Sequence, residues 1–216
     1  MLTDFSADRQ EMLDRQLSAR GIRDERVLCA MSRIPREEFV PEQEREAAYW
    51  DGPIRIGYGQ TISQPYMTAL MAQELRLTGT EHVLEVGTGS GYAAALLGLL
   101  ARDVITVELV PELAETARAT LLRTGYGLNV MAIAGDGSWG YPDLAPYDGI
   151  SVAAGAPEIP AGLLVQLAER GRMVIPVGPH LDQELLVVEK ERGRIRRKVS
   201  TMCSFVPLLG IEGWQT

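Results

Sequence analysis

From residue 82 onward, short runs of aliphatic and β-branched residues alternate with helical stretches, and this alternation restricts the fold more than any other feature. The apolar runs are 82–86 (HVLEV), 104–108 (VITVE), 129–134 (NVMAIA), 147–155 (YDGISVAAG) and 172–178 (RMVIPVG). Between them the spacing predicts helices over 91–101, 112–123 and 160–169. Strands separated by helices cannot pair as hairpins. They specify βαβ units, a mainly parallel sheet with helices on both faces, and the doubly wound α/β class. Residues 185–189 and 194–201 then read as an antiparallel pair turning at Arg192-Gly193, with a further strand over 204–208 closing the sheet edge.

The first third reads as a helical extension. Ser6 is a candidate cap for a helix carrying Met12, Leu13 and Leu17 on one face, stopped at Gly21. Asp24 caps a second helix with Val27, Leu28 and Met31, ended by Ile34 before Pro35. A short helical run follows Pro41, and 51–63 (DGPIRIGYGQTIS) is an ordered loop or short strands. Residues 65–75 return to helical spacing through Met67, Leu70 and Met71. One domain is expected, with 1–76 as helices and a loop, 77–180 as the βαβ core and 181–216 as antiparallel strands.

Charge and cysteine content narrow the function. A net charge of -8 argues against broad nucleic-acid binding, which depends on Lys and Arg neutralising phosphates. Two cysteines, Cys29 and Cys203, make no disulfide framework, and neither histidine has ligand spacing, so no metal is expected. The segment MLTDFSADRQEM lacks a secretory apolar core, and the apolar stretch 92–101 is half the roughly 20 residues a membrane helix needs. A cytoplasmic monomer with no membrane association is expected.

The pattern VLEVGTGSGY ends a strand at Glu85 and opens a helix through Gly87, Thr88, Gly89 and Gly91. Dinucleotide folds want G-x-G-x-x-G, and the third glycine position here is Tyr92. The spacing is instead E-x-G-x-G-x-G. Its carboxylate repels a pyrophosphate and attracts the ammonium of a methionine moiety, which favours S-adenosylmethionine over a nicotinamide. Glu108 ends the next strand, where an acid accepts from ribose hydroxyls. Asp136-Gly137 follows the third strand, where an adenine amino group would be met. Each has a plainer reading, as tight turn, helix cap or Asp-Gly turn, but one nucleoside accounts for all three.

No nucleophile elbow or metal cluster offers covalent chemistry. Instead GYGQTISQPY (57–66) sets the hydroxyls of Thr61 and Ser63 just before a helix that Pro65 can start. Helix N-termini with free N–H groups bind carboxylates. A carboxylate nucleophile is already ionised at neutral pH and needs no general base. Ser63 as a simple helix cap is the competing reading.

Along nearly its whole length the chain resembles the protein-L-isoaspartate O-methyltransferases. The resemblance rests on RQLSARGIRDERVLCAM, IPREEFVP, GYGQTISQPY, VLEVGTGSGYAAALL, GDGSWGYPDLAPYDGISV, APEIP, GRMVIPVG and FVPL. It implies a Rossmann-like class I fold with a seven-stranded sheet, S-adenosyl-L-methionine as donor and S-adenosyl-L-homocysteine as product. The implied acceptor is the α-carboxylate of L-isoaspartyl residues in damaged proteins and peptides, whose ester closes to a succinimide. It also implies Ser63, with Thr61, at the acceptor, and Glu85, Gly87, Thr88, Gly89, Gly91, Glu108, Asp136 and Gly137 around the donor. Ala153, Gly155, Ser204, Leu209 and Tyr66 depart from the family pattern, mostly toward the acceptor. The rival readings are esterification of normal aspartate in a dedicated peptide, and donor binding without turnover.

Overall fold

In the computed structural model, which describes residues 4–180 and 182–215, seven strands form one sheet in the order β5-β4-β3-β6-β7-β8-β9. Strands β3 (His82–Val86), β4 (Asp103–Glu108), β5 (Val130–Ala134), β6 (Tyr147–Val152) and β7 (Leu167–Val177) run parallel. The pair β8 (Gln183–Glu191) and β9 (Arg194–Cys203) closes the sheet antiparallel, turning at Arg192-Gly193 as expected. Chain order reverses at β3: β4 lies on one side of it and β6 on the other. Open α/β sheets bind ligands at such a switch point, outside the carboxyl ends of the strands.

Successive side chains of each strand enter opposite cores. Val83 and Val104 join a large cluster with Met12, Leu17, Ile22, Met31, Ala69, Leu75, Leu96 and Leu121. Leu84, Val86, Ile105 and Val107 enter the other, with Ile150, Val152, Leu163 and Ile175. The first core packs beneath α3 (Pro65–Leu75), α4 (Tyr92–Leu100) and α5 (Pro111–Thr124), with the N-terminal helices over them. The second face is thinner than the expected helical layer. Its cover is the six-residue α6 (Ala161–Gln166), single 3₁₀ turns at Gly137–Trp139 and Pro142–Leu144, and the segment 204–214.

The N-terminal helix differs at its start. Phe5 holds the capping position of α1 (Ser6–Glu11), and Ser6 is already helical, its N–H donating to Asp4 Oδ1 at 2.9 Å. The helix continues through a π-helical stretch, Met12–Leu17, and ends at Gly21 with φ +95°. Asp24 caps α2 (Glu25–Arg33) as read from the sequence, accepting from the N–H groups of Arg26 and Val27. Of the two readings for 51–63, ordered loop or short strands, the second holds: β1 (Ile54–Gly57) and β2 (Gln60–Ile62) form a two-stranded ribbon, reversing through Tyr58 and Gly59, both at positive φ.

Two boundaries near the C-terminal side need correction. Residues 167–169 are strand, because Leu167 is buried opposite Tyr147, and the register then shifts so that Gly149 faces Arg172. Residues 204–208 add no strand to the edge. Gly155 N–H donates to Val206 O and Leu208 N–H to Gly155 O, each at 2.8 Å, while the Gln183 amide donates to Phe205 O and accepts from Phe205 N–H. These bonds draw the segment across the carboxyl ends of the sheet. The exposed edge is therefore β9, where Arg194, Arg196, Arg197 and Lys198 discourage pairing with another chain. Residues 1–3, 181 and 216 at the expected division points lie outside the described residues.

Candidate active site

A cavity opens at the switch point. Its floor is the turn after β3, Gly87 to Ser90, and its walls come from Glu108 to Val110, Gly137, Ala153-Ala154 and Val206 to Leu209. The turn needs glycine where the sequence has it. Gly87, Gly89 and Gly91 have φ of +92°, +52° and +87°. At Gly91, which caps α4, a Cβ would also stand 3.3 Å from Ala117 Cβ and Leu121 Cγ. Tyr92, in place of a third fingerprint glycine, is buried edge-on to Phe39, with ring centroids 5.6 Å apart.

Glu108 lines the cavity and binds the turn: Gly89 N–H donates to Oε2 at 2.8 Å and Val110 N–H to Oε1 at 3.0 Å. Glu85 lies behind the wall, fully buried. Thr106 Oγ1 donates to its Oε2 at 2.5 Å and shares a 2.6 Å hydrogen bond with Thr88 Oγ1, which does reach the cavity. Glu85 Oε1 has no hydrogen-bond partner, and burial, with Glu108 adding to it, pushes the carboxyl up to about 8. Burial thus favours the protonated carboxyl near neutral pH in the ligand-free protein, whereas the E-x-G-x-G-x-G spacing suggested an ionised group.

Gly137 reaches the cavity, and a Cβ there would fall 2.7 Å from Val86 Cγ1. The Asp136 side chain is occupied elsewhere. Oδ1 accepts from Ser138 N–H and Oγ at 2.9 and 2.6 Å, and Oδ2 from Ile211 N–H at 2.8 Å. Burial works to raise this carboxyl, but those bonds win and hold it below its ordinary range. The backbone cradle, the strand-end acid Glu108 that lines it and the unpartnered Glu85 Oε1 behind the turn fit a polar nucleoside. Among the described residues no group of three or more His, Cys, Asp or Glu is placed to hold a metal ion, and no helix is long and apolar enough to cross a membrane.

Thr61 and Ser63 line this cavity and also a larger open cleft of about 670 Å³. Ala153, Val206 and Pro207 are the other residues common to both. Ser63 is not a helix cap: Gln64 holds that position, without a side-chain bond, and Pro65 starts α3. The family departures cluster here. Ser204 and Tyr66 line the cleft, Ala153 both spaces, and Leu209 the donor side. Gly155 lines neither; a Cβ on it would stand 2.3 Å from Gln183 Nε2.

Sequence reasoning missed three contributors. Ser204 to Leu208 read as an edge strand, and Gln183, outside the 185–189 run, was not singled out, though its side chain fixes Phe205 beside that wall. Arg36, in IPREEFVP, read only as part of a matching stretch. It is fully buried and donates from Nη2 to Ser63 O at 2.8 Å. An Arg flanked by Pro35 and the apolar pair Phe39-Val40 was the available signal.

Known proteins bear on this geometry. The family model for protein-L-isoaspartate(D-aspartate) O-methyltransferase matches residues 7–213. A Koribacter versatilis protein named protein-L-isoaspartate O-methyltransferase is 54% identical over 213 residues, covering 99% of this chain and 96% of its own. One of the same name from Methanoculleus marisnigri is 50% identical over 208 residues, covering 96% and 94%. A solved protein-L-isoaspartate O-methyltransferase superposes with TM-score 0.83 at 29% identity over 94% of this chain, which spans 66% of that structure's chain. A putative one from Plasmodium falciparum, in complex with S-adenosyl-L-homocysteine, gives 0.79 at 27% identity, covering 93% and 98%. With its glycine cradle, strand-end acid and T-I-S hairpin in one crevice, the chain belongs to the protein-L-isoaspartate(D-aspartate) O-methyltransferase family.

Proposed function

We propose that this chain transfers the methyl group of S-adenosyl-L-methionine to the α-carboxylate of L-isoaspartyl residues in damaged proteins and peptides, starting their repair. One observation carries the assignment of residues: Thr61 and Ser63 stand where the donor cavity meets the open cleft. In this reading the turn from Gly87 to Gly91 and Gly137 receive the nucleoside, Thr88 faces the methionine end with Glu85 behind it through Thr106, and Glu108 accepts from the ribose. Asp136 acts by holding Gly137 and the wall at Ile211 in place, so its contribution to the adenine pocket is through backbone. When bound, the donor supplies an electrophilic methyl on a sulfonium.

The chain's own task is alignment. Ser63 Oγ donates to one oxygen of the acceptor carboxylate and Thr61 limits its rotation, leaving the other oxygen to face the methyl carbon. The new O–C bond forms as the S–C bond breaks, and S-adenosyl-L-homocysteine leaves. The nucleophile is ionised before it arrives, so no side chain removes a proton, and positioning supplies most of the acceleration. The following backbone amide nitrogen then attacks the ester carbonyl, the C–O bond breaks, methanol leaves and a succinimide closes without further residues.

Methyl transfer from labelled donor to one peptide, in isoaspartyl and aspartyl forms, tests this directly. Transfer to the isoaspartyl form alone is expected. Transfer favouring the aspartyl form would point instead to a dedicated substrate, consistent with Ala153 and Ser204 in the cleft wall. Donor binding with neither peptide methylated would leave a binding module.

A further inference from the structure

Arg36 is the least expected charge in the molecule. Its side chain is completely buried in the 3₁₀ turn Arg36–Phe39, where an ion without a counter-ion is costly. Yet among the described residues no carboxylate pairs with it. The adjacent acids are engaged elsewhere: Glu37 with Arg9 and the Tyr49 hydroxyl, and Glu38 with Arg45 and Arg123. The guanidinium is satisfied instead by neutral groups. Nε donates to Ala48 O at 2.7 Å and Nη2 to Ser63 O at 2.8 Å, while the Tyr92 ring lies 4.7 Å from its central carbon. Nη1 is buried with no partner at all. Arginine keeps its charge in such surroundings, so the positive charge stays and is left uncompensated.

That charge sits directly behind the serine assigned to the acceptor. The two spaces that meet at Ser63 are otherwise poor in cations: only Arg20 and His180 among their lining residues can carry positive charge. Arg20 is partly exposed, pairs with Asp51 and covers the Tyr66 ring. The whole chain is acidic, with net charge -8, so its distant field opposes an anionic acceptor. Something local must favour one.

We propose that Arg36 is a positioning residue of the acceptor site, its buried unpaired guanidinium fixing the Ser63 backbone and supplying the positive potential that selects an ionised carboxylate. This rests on the reading of Ser63 as the acceptor-binding serine. Arrival of the carboxylate brings an opposite charge near a buried cation that the empty protein leaves without one. The attraction acts through protein rather than solvent, so added salt screens it little, whereas an exposed cation such as Arg20 would lose most of its effect.

The test compares the binding of two peptides to the protein loaded with S-adenosyl-L-homocysteine, which has no sulfonium charge of its own. One carries the isoaspartyl α-carboxylate, the other an α-carboxamide at the same position. The carboxylate form should bind about tenfold more tightly, in both about 0.05 M and about 0.5 M NaCl. Arg36→Lys, keeping the charge, should retain most of that preference. Arg36→Met should bring the ratio to within about twofold of unity and raise the acceptor KM more than it lowers kcat, with S-adenosyl-L-homocysteine affinity unchanged.

Equal affinity of the two peptides for the unaltered protein would overturn the proposal, as would a preference that vanishes in salt. So would a folded Arg36→Met protein, judged by S-adenosyl-L-homocysteine binding, that still discriminates. If Arg36→Met does not fold, the comparison on the unaltered protein decides by itself. Failure of the underlying acceptor reading has a different signature: no isoaspartyl methylation by the unaltered protein, or a Ser63→Ala variant that methylates normally.

Discussion

Glu85 and Glu108 lie near the carboxyl ends of adjacent strands, yet their surroundings differ. Glu108 faces the cavity with both oxygens bonded to backbone N–H groups, whereas Glu85 has one threonine hydroxyl and an empty lone pair in a dry wall. Burial raises Glu85 from 4.5 to about 8. Between those values the native protein holds a proton that the unfolded chain has released, so this group's contribution to stability declines as pH rises through that window. Glu85→Gln, neutral at every pH, should therefore gain stability relative to the unaltered protein on going from about pH 5 to about pH 9, read as urea midpoints. A constant difference across that range would mean that Glu85 is already ionised in the fold. Ser63→Ala removes a donor to a charged group, a loss of about 1.5–3 kcal/mol, so methyl transfer should fall about ten- to a hundredfold. Donor affinity, measured by calorimetry, should stay within about twofold, because the residues proposed to receive the nucleoside lie on the other side of the junction. These acids and hydroxyls were legible because each follows a recognisable strand or precedes a proline-started helix. Their protonation and their partners were not, since both depend on Thr106, Ile211 and other residues far away in the chain.

Strands β3, β4 and β6 were read correctly because both faces of each are buried, which writes a continuous apolar run into the sequence, whereas the edge strand β5, with Met131 exposed, was read from composition and its place in the alternation. Where local pattern and tertiary pairing disagree, pairing wins. Leu167 to Glu169 have helical spacing but pair with β6, and Ser204 to Leu208 have strand-like composition but direct their hydrogen bonds to Gly155 and Gln183. Ser6 lost the capping position to Phe5 because Asp4 already accepts its N–H. The turn into α4 is the element whose geometry is most tightly fixed. Gly91→Ala places a side chain at φ +87° and a methyl 3.3 Å from the Ala117 and Leu121 side chains. The backbone strain alone costs about 1–2 kcal/mol. For a chain of this size the melting temperature should drop by about 2–8 °C. The donor affinity should weaken with it, because the same turn is the cavity floor; a drop in melting temperature with unchanged affinity would separate the two.

At the scale of the molecule, the N-terminal helices share one core with α3, α4 and the sheet, and Arg26 further joins them by donating to Leu77 O and Leu100 O. Unfolding should therefore be a single transition, with tryptophan fluorescence and far-ultraviolet circular dichroism superimposing along a urea titration. Two separated transitions would mean that the extension is an independent unit. Ligand linkage belongs to the same scale: S-adenosyl-L-homocysteine at about a hundred times its Kd should raise stability by about 2.7 kcal/mol. The donor half of the site was more legible than the acceptor half for a topological reason. Its residues lie on three consecutive strand ends, whereas the cleft gathers Arg20, Ser63, His180 and Ser204 from distant parts of the chain.

The wall formed by Val206 to Leu209 also has a consequence in time. A ribosome makes the hairpin with Ser63 first, the glycine turn soon after, and this wall more than a hundred residues later. A nascent chain can thus assemble the parallel strands and the cradle while the junction between donor and acceptor stays open on one side. Closure waits for Gln183 to take hold of Phe205 and for Asp136 to receive Ile211. The order of synthesis therefore completes the cradle before the junction that methyl transfer needs.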